Sequence, residues 1–196
     1  MRKTSAVALL ATATATVIGV GAPAQATLYG NHDVHGEIER TYLALGGPNG
    51  FLGLSTTNEK DAPDKVGKFN NFQNGGIFWS PASGAHEIDS QIRNRWGKLG
   101  TVLGPLGYPV SNKSGTPDGI GTFNLFQGGS IYYTPTTGAH EVYGLIRQAW
   151  AGQGYETGAL GYPVSGEYDV PGGRRNNFQG GYIVWRPADG AIIHLR

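Results

Sequence analysis

Residues 128–140 read GGSIYYTPTTGAH, and similar stretches stand at 74–86 (NGGIFWSPASGAH) and 180–192 (GGYIVWRPADGAI). Each one begins at or beside a glycine pair, continues through β-branched and aromatic residues, and then reaches a Pro-containing turn that ends in Gly. Glycine pairs and Pro/Gly turns around such a run are typical of β-hairpins. The chain is therefore predicted to contain this hairpin three times.

The repetition extends well beyond the hairpin. Leu-Gly pairs begin at residues 52, 106 and 160, so they recur every 54 residues. An aromatic residue keeps the same interval: Tyr42, Trp96 and Trp150. A Phe-Gln pair follows at intervals of 54 and then 52 residues, beginning at Phe72, Phe126 and Phe178. A fixed period over so many positions indicates a repeat architecture, and the shortening by two residues falls in a polar stretch rich in Gly and Pro.

Each repeat is predicted to contain one short helix and a three-stranded antiparallel meander. Ile92, Trp96 and Leu99 have the i, i+4, i+7 spacing of an amphipathic helix, which places the Trp toward the core. Strand-like runs lie around residues 69–73, 77–79 and 85–88, with turn sequences between them. Because neither part could bury its apolar face alone, neighbouring repeats are expected to share a core.

The predicted fold class is therefore α+β. Three repeats, at about 36–90, 91–144 and 145–196, form one domain and pack with pseudo-threefold symmetry. Residues 30–34 (GNHDV) match the last strand of a repeat, so one extra N-terminal strand precedes the first complete unit.

Residues 1–26 are typical of an export signal. They begin with Arg2 and Lys3, continue through an apolar or small stretch at 6–20, and end with the small-x-small sequence Ala-Gln-Ala at 24–26. We predict cleavage before Thr27. The alternative is an uncleaved anchor, but the apolar stretch is short and carries several Thr residues, so it would span a membrane poorly. We expect no membrane span in the mature chain.

Composition excludes several classes of function. The chain has 196 residues and no Cys, so it has no disulfide, thiolate metal ligand or thiol nucleophile. Of its 15 Lys and Arg residues, 13 remain after the signal is removed, against 14 Asp and Glu, which gives a net charge of −1. This near balance argues against binding nucleic acid, which relies on a basic surface. With 39% hydrophobic residues, the chain is not expected to be disordered.

The repeats resemble the LGFP repeat, a unit of exported actinobacterial proteins. The motifs that carry the resemblance are Leu-Gly-Tyr-Pro at 106–109 and 160–163, and the stretch at 128–140 with the following Ile146 and Trp150. The first copy departs from the pattern, since it reads Leu-Gly-Leu-Ser at 52–55, and the third has Ile192 where the others have His. The resemblance implies a secreted, cell-wall-associated protein whose repeats hold it to wall polysaccharide.

Three histidines recur with an acidic residue after each: His32, His86 and His140. They could converge on a metal ion. The alternative is that each packs beside a turn and forms local hydrogen bonds, which we favour because Ile192 fills the same slot in the last copy. We therefore expect no metal and no cofactor.

Enzyme signatures are lacking in the sequence. It has no Gly-x-Ser-x-Gly motif and no phosphate-binding glycine loop, and its acidic residues show no pairing typical of glycosidases. A secreted esterase or glycosidase whose site assembles between repeats stays open as one alternative.

Repeated aromatic rings and side-chain amides are the predicted ligand-binding residues. Rings can stack on the apolar faces of sugars, and amides present a donor and an acceptor to hydroxyl groups. The same residues could instead be core rings and turn-stabilising amides. The candidates are Phe78, Trp79, Tyr132, Tyr133, Trp185, Asn70, Asn124, Asn176, Gln73, Gln127 and Gln179.

The function that these observations favour is non-catalytic binding of cell-wall polysaccharide, with several repeats contributing to affinity. A protein–protein module with an envelope protein as partner is the remaining alternative, because apolar strand faces could dock another chain.

Overall fold

The computed structural model describes residues 27–196, so the predicted export signal lies outside the described part. Three α-helices lie at Gly36–Ala44 (α1), Ser90–Lys98 (α2) and Gly144–Gly152 (α3). The strands are β1 Thr27–Tyr29, β2 His32–Val34, β3 Lys60–Asp61, β4 Lys68–Phe72, β5 Gly75–Ser80, β6 Gly84–Asp89, β7 Ser114–Gly115, β8 Thr122–Leu125, β9 Gly129–Thr134, β10 Gly138–Tyr143, β11 Tyr168–Val170, β12 Gly173–Phe178, β13 Gly181–Arg186 and β14 Gly190–Leu195.

The strands form three four-stranded antiparallel sheets in chain order, β3–β6, β7–β10 and β11–β14. The predicted meander had three strands, and the structure adds a first strand of two or three residues to each. These added strands, at 60–61, 114–115 and 168–170, are short and mostly exposed. They lack the run of β-branched and aromatic residues that identifies a strand in sequence, which is why the prediction missed them.

The N-terminal edge is a two-stranded hairpin, β1–β2, where the sequence predicted one strand. Tyr29 of β1 lies edge-on to Tyr42 of α1, with ring centroids 5.0 Å apart. Tyr132 of β9 and Trp150 of α3 have the same arrangement at 4.8 Å. The hairpin therefore covers α1 as the longer strands of a complete sheet cover α3.

Each core joins consecutive repeats. Tyr132 and Val142 of the second sheet pack with Trp150 of α3 and with Phe178 and Ile183 of the third repeat. Trp150 has no exposed surface, and Trp96 occupies the equivalent buried place one repeat earlier. The prediction that the helix Trp residues are core is confirmed. A single repeat could not exclude water from its apolar core without the neighbouring repeat.

The Leu-Gly-Tyr-Pro motif also joins repeats. Gly107 has φ +65°, and a Cβ there would lie 2.4 Å from the side-chain oxygen of Gln127, so the turn favours Gly. The next residue, Tyr108, donates its hydroxyl hydrogen to Asp64 of the preceding repeat at 2.8 Å. The first copy has Leu54 at this position, and the structure describes no earlier loop for a Tyr there to reach.

Candidate functional site

Two cavities at equivalent places each contain a strand tryptophan that the sequence singled out. Trp79 lines a cavity of about 280 Å³ beside the start of α1, and Trp185 lines one of about 200 Å³ beside the start of α3. Both rings are half-buried, and each packs on the edge of a core. An aromatic ring that keeps one part exposed in a cavity can contact a ligand without leaving the fold.

The sheet register places a cation beside each tryptophan. Lys68 lies directly opposite Trp79 on the neighbouring strand, and Arg174 lies opposite Trp185. On the other neighbouring strand, the residue directly opposite each tryptophan is an alanine, Ala85 for Trp79 and Ala191 for Trp185. Each ring therefore has a long cation at one flank and a small alanine at the other.

A buried carboxylate completes the cavity at Trp79. Glu59 has a side chain that is 8% exposed, and its Oε1 lies 3.7 Å from Nζ of Lys68. The same oxygen lies 3.3 Å from Nε2 of His35, the residue that precedes α1. Burial raises the pKa of Glu59, and His35 and Lys68 partly offset that rise. The carboxylate is therefore held in place between two nitrogen groups at the cavity wall.

The cavity at Trp185 has the same plan with different side chains. Glu167, 5% exposed, is ion-paired with Nε of Arg174. Tyr143 precedes α3 as His35 precedes α1, and Nη2 of Arg174 donates to its hydroxyl at 3.3 Å. Burial raises the pKa of Glu167, and Arg174 opposes this rise. Each cavity thus combines a ring, a buried carboxylate and a partly exposed cation.

At the equivalent place in the second sheet, the ring is Tyr133, and a Lys stands at the position that holds Glu in the other two repeats. Thr122 lies opposite Tyr133 where the other sheets have a cation. The cation is Lys113, whose Nζ lies 3.6 Å from a carboxylate oxygen of Asp89, the residue before α2. The strand-face rings Trp79 and Trp185 therefore lie next to an acid–base pair, and the second sheet carries a pair of its own, Lys113 and Asp89, at equivalent positions.

The indole N–H groups divide the four tryptophans into two classes. Trp96 and Trp150 each donate to the backbone carbonyl of a Leu-Gly turn at 3.1 Å. Within residues 27–196, the structure shows no acceptor for the N–H of Trp79 or Trp185. Those two indoles can offer a donor to a ligand, together with an apolar ring surface.

The arrangement suits a ligand with hydroxyl groups on an apolar frame. The carboxylate accepts hydrogen bonds, the cation and the indole donate them, and the ring packs against C–H groups. Such a combination can hold the hydroxyl groups and the C–H faces of a neutral polyol.

Two of the proposed rings lie in the core instead. Phe78 is 6% exposed and packs edge-on to Trp96, and Tyr132 is 4% exposed and packs edge-on to Trp150. Strand alternation directs each of them to the sheet face opposite its half-buried neighbour. Because both rings are almost fully buried against a helix tryptophan, we correct their assignment from exposed sugar-stacking rings to core residues.

The three repeated asparagines are clamps between repeats. Asn124 is fully buried, and its amide nitrogen donates to the carbonyl of Glu87 in β6 of the preceding sheet and to that of Ser111, at 2.9 and 3.0 Å. Asn70 and Asn176 are also fully buried and each donate to two backbone carbonyls in the same way. Because the three side chains are buried and their amide nitrogens are bonded to backbone carbonyls, this part of the predicted site is corrected to a structural role.

The repeated glutamines hold the Leu-Gly turns. The side-chain oxygen of Gln127 accepts the backbone N–H of Tyr108 at 3.0 Å, and Gln73 and Gln179 make the same bond at their own turns. These side chains are exposed, but the bond to the turn sets their orientation. They lie apart from the cavities at Trp79 and Trp185, whose linings do not include them.

Two of the three recurring histidines contact a carbonyl three residues earlier, whereas Nδ1 of His32 lies 3.3 Å from the side-chain oxygen of Asn58. Nε2 of His86 lies 2.9 Å from the carbonyl of Ser83, and Nε2 of His140 lies 2.8 Å from that of Thr137. Burial lowers the pKa of His140. In residues 27–196 no group of three His, Cys, Asp or Glu side chains could hold a metal ion.

Sequence reasoning missed the charged members of the cavities. Positions 59, 113 and 167 are equivalent but carry Glu, Lys and Glu, so no identity repeats there. The signal that could have found them is compensation of charge. The two repeats with Glu at this position have a nearby cation, Lys68 or Arg174, and the repeat with Lys113 has a nearby acid, Asp89.

Comparison with known proteins identifies the repeats. The LGFP repeat matches residues 52–104, 106–158 and 160–193, and each match begins at the Leu of a Leu-Gly pair. No curated protein matches the chain. Among the helices of residues 27–196, none has the length and apolar character needed to cross a membrane.

Proposed function

Because the chain belongs to the LGFP-repeat family, whose repeats are associated with the cell envelope, we propose that it is a secreted, non-catalytic protein that binds envelope polysaccharide. The binding sites in this proposal are the cavities at Trp79 and Trp185 and the related surface at Tyr133. The observation that carries it is the recurrence of one plan, a half-buried ring beside a paired carboxylate and cation, in the equivalent cavities of the first and third sheets.

The multiplicity of the sites supports a polymer as ligand. Open cavities of 200 and 280 Å³ fit one or two sugar rings at most, so each is expected to bind weakly alone. A polysaccharide offers the same sugar many times, and sites held in one rigid domain then act together.

Export belongs to the same proposal. Cleavage before Thr27 would release residues 27–196, which is the part that the structure describes. N-terminal sequencing of protein from the culture medium should begin at Thr27, and a start at Met1 would contradict the proposed processing.

The experiment that tests the function uses cell walls stripped of protein. The purified mature chain should sediment with these walls, and soluble wall polysaccharide should compete. Sedimentation only with walls that retain their proteins would contradict polysaccharide binding and support an envelope protein as partner. Turnover of ester or glycoside chromogenic substrates would instead support a hydrolase.

A further inference from the structure

A further cavity lies away from the sites described above, between the first sheet and α2. It has a volume of about 500 Å³, within the range of small-molecule sites. Its apolar lining consists of Pro63, Phe69, Phe78, Trp96 and Val102. Phe78 and Trp79 point to opposite faces of β5, so this cavity and the one at Trp79 are on opposite sides of the sheet.

The equivalent junction one repeat later is filled by a side chain. Thr101 lines the cavity, and the residue 54 positions later is Tyr155. The Tyr155 ring packs edge-on to Trp150 at 5.3 Å, where it covers the corresponding tryptophan. Thr101 and Tyr155 have φ +55° and +56°, so the same backbone carries either side chain. The cavity is therefore open because a small residue stands at position 101.

A cation without a carboxylate partner lines the open cavity. Nη1 of Arg93 donates to the carbonyl of Gly75 at 3.0 Å, and within residues 27–196 no carboxylate lies at ion-pair distance from the guanidinium. Burial lowers the pKa of Arg93, with no acidic neighbour to oppose it. A half-buried cation in this state is stabilised by an anion.

At the filled junction, the residue that corresponds to Arg93 is Arg147, and its contacts differ. Arg147 lies over the Tyr155 ring, 5.7 Å from its centroid, and its Nε donates to the Ser130 hydroxyl. The open cavity also has Lys98 in its lining, where the later repeat has Gly152. Positive charge is thus concentrated at the junction that is open.

We propose that the cavity between the first sheet and α2 binds a small anionic amphiphile, with its acidic group on Arg93 and its apolar body against Phe69 and Val102. A carboxylate or a phosphate would satisfy the guanidinium, since both accept its paired N–H groups. An alkyl chain or ring suits the mainly apolar lining better than a sugar does, because sugar hydroxyls would need more hydrogen-bonding partners. This proposal does not depend on polysaccharide binding.

Displacement of a fluorescent probe tests the proposal on the mature chain. Anilinonaphthalene sulfonate is an anion with an apolar body, so it should bind and become fluorescent, and dodecanoate or dodecyl phosphate should displace it. Dodecyl maltoside has the same chain with a neutral head and should displace it about tenfold less effectively, the size of effect expected for one charge-assisted hydrogen bond. Equal displacement by both heads would overturn the anionic part of the proposal.

Two variants locate the binding. Thr101→Tyr should fill the cavity as Tyr155 fills its own junction, and Arg93→Gln should weaken dodecanoate binding about tenfold while dodecyl maltoside is unaffected. Arg147→Gln, at the filled junction, is the matched control and should bind dodecanoate as the wild type does. Unchanged dodecanoate affinity in a folded Thr101→Tyr or Arg93→Gln variant would overturn the proposal, as would the absence of any probe binding by the wild type.

Discussion

Trp185 lies directly opposite Arg174 across two neighbouring strands of the third sheet. The same register places Lys68 opposite Trp79 in the first sheet. In an antiparallel sheet, side chains that are directly opposite stay within contact distance, so the backbone itself holds ring and cation together. The cavities are therefore built on strands, which keep a site more precisely shaped than loops do.

The two classes of tryptophan should respond differently to truncation. Trp150→Ala removes a fully buried ring and should destabilise the protein by about 3–5 kcal/mol through lost transfer energy and the cavity it leaves. Trp185→Ala removes a half-buried ring and should cost clearly less. Chemical denaturation of both variants measures the difference. Equal destabilisation would show that Trp185 is a core residue.

The asparagine clamp should be a stability determinant. Asn124→Ala leaves two carbonyls without this donor, and we expect a loss of about 2–6 kcal/mol, since each unsatisfied buried group costs about 1–3 kcal/mol. Gln127→Ala removes one bond at an exposed position and should cost about 1 kcal/mol. Denaturation midpoints check both. A stable Asn124→Ala variant that loses wall binding would show that Asn124 belongs to the ligand site after all.

Glu87 should make stability depend on pH. Its carboxylate is buried, Oε1 accepts the backbone N–H of Lys113, and Oε2 has no partner within residues 27–196. Burial raises the pKa of Glu87, so the folded protein holds this proton more tightly than the unfolded chain does. Its favourable contribution is complete below the unfolded-state pKa and is lost as pH rises through the folded-state pKa. Glu87→Gln should therefore be more stable than the wild type at neutral pH, with an advantage that shrinks toward acidic pH in thermal melts.

Glu141 is the matched control for this prediction. It occupies the same position one repeat later, but both of its oxygens are bonded by Arg95. The residue equivalent to Arg95 in the first repeat is Thr41, which explains why Glu87 has no such partner. Glu141→Gln breaks an ion pair and should destabilise by about 2–3 kcal/mol, because breaking a buried pair leaves an uncompensated charge. Stabilisation by this variant would contradict the comparison.

The shared cores should make the repeats cooperative. Deleting residues 145–196 removes α3 and the third sheet, which cover Tyr132 and Val142. The shortened protein should aggregate or lose its near-UV circular dichroism, because those apolar side chains become exposed. A soluble fragment with a sharp thermal transition would show that the repeats fold independently.

Local signals made much of the fold predictable. The turn sequences around 128–140 define a hairpin wherever they occur, and the Leu-Gly spacing shows that it recurs with a helix between copies. The helix Trp positions followed from i, i+4 spacing. The pseudo-threefold arrangement stays a prediction, since the contacts that define the cores run from each repeat to the next.

The site was less predictable because both faces of β5, β9 and β13 are apolar. On one face of β5, Phe78 packs on α2, and on the other face Trp79 lies beside α1, so each face of the strand meets a helix. Alternation says that neighbouring residues point to opposite sides, but it does not say which side leaves space. That space depends on Ala85 and on the loop that carries Glu59, and these belong to tertiary packing.

Sedimentation of ring variants with protein-free cell walls tests the central claim most directly. The account predicts that Trp79→Ala and Trp185→Ala each weaken sedimentation, and that the double variant weakens it more than either one, because avidity falls with the number of sites. Tyr168→Ala, an exposed ring on the opposite face of the third sheet from Arg174, should sediment as the wild type does. A folded Trp79→Ala/Trp185→Ala variant that sediments as well as the wild type would contradict the account.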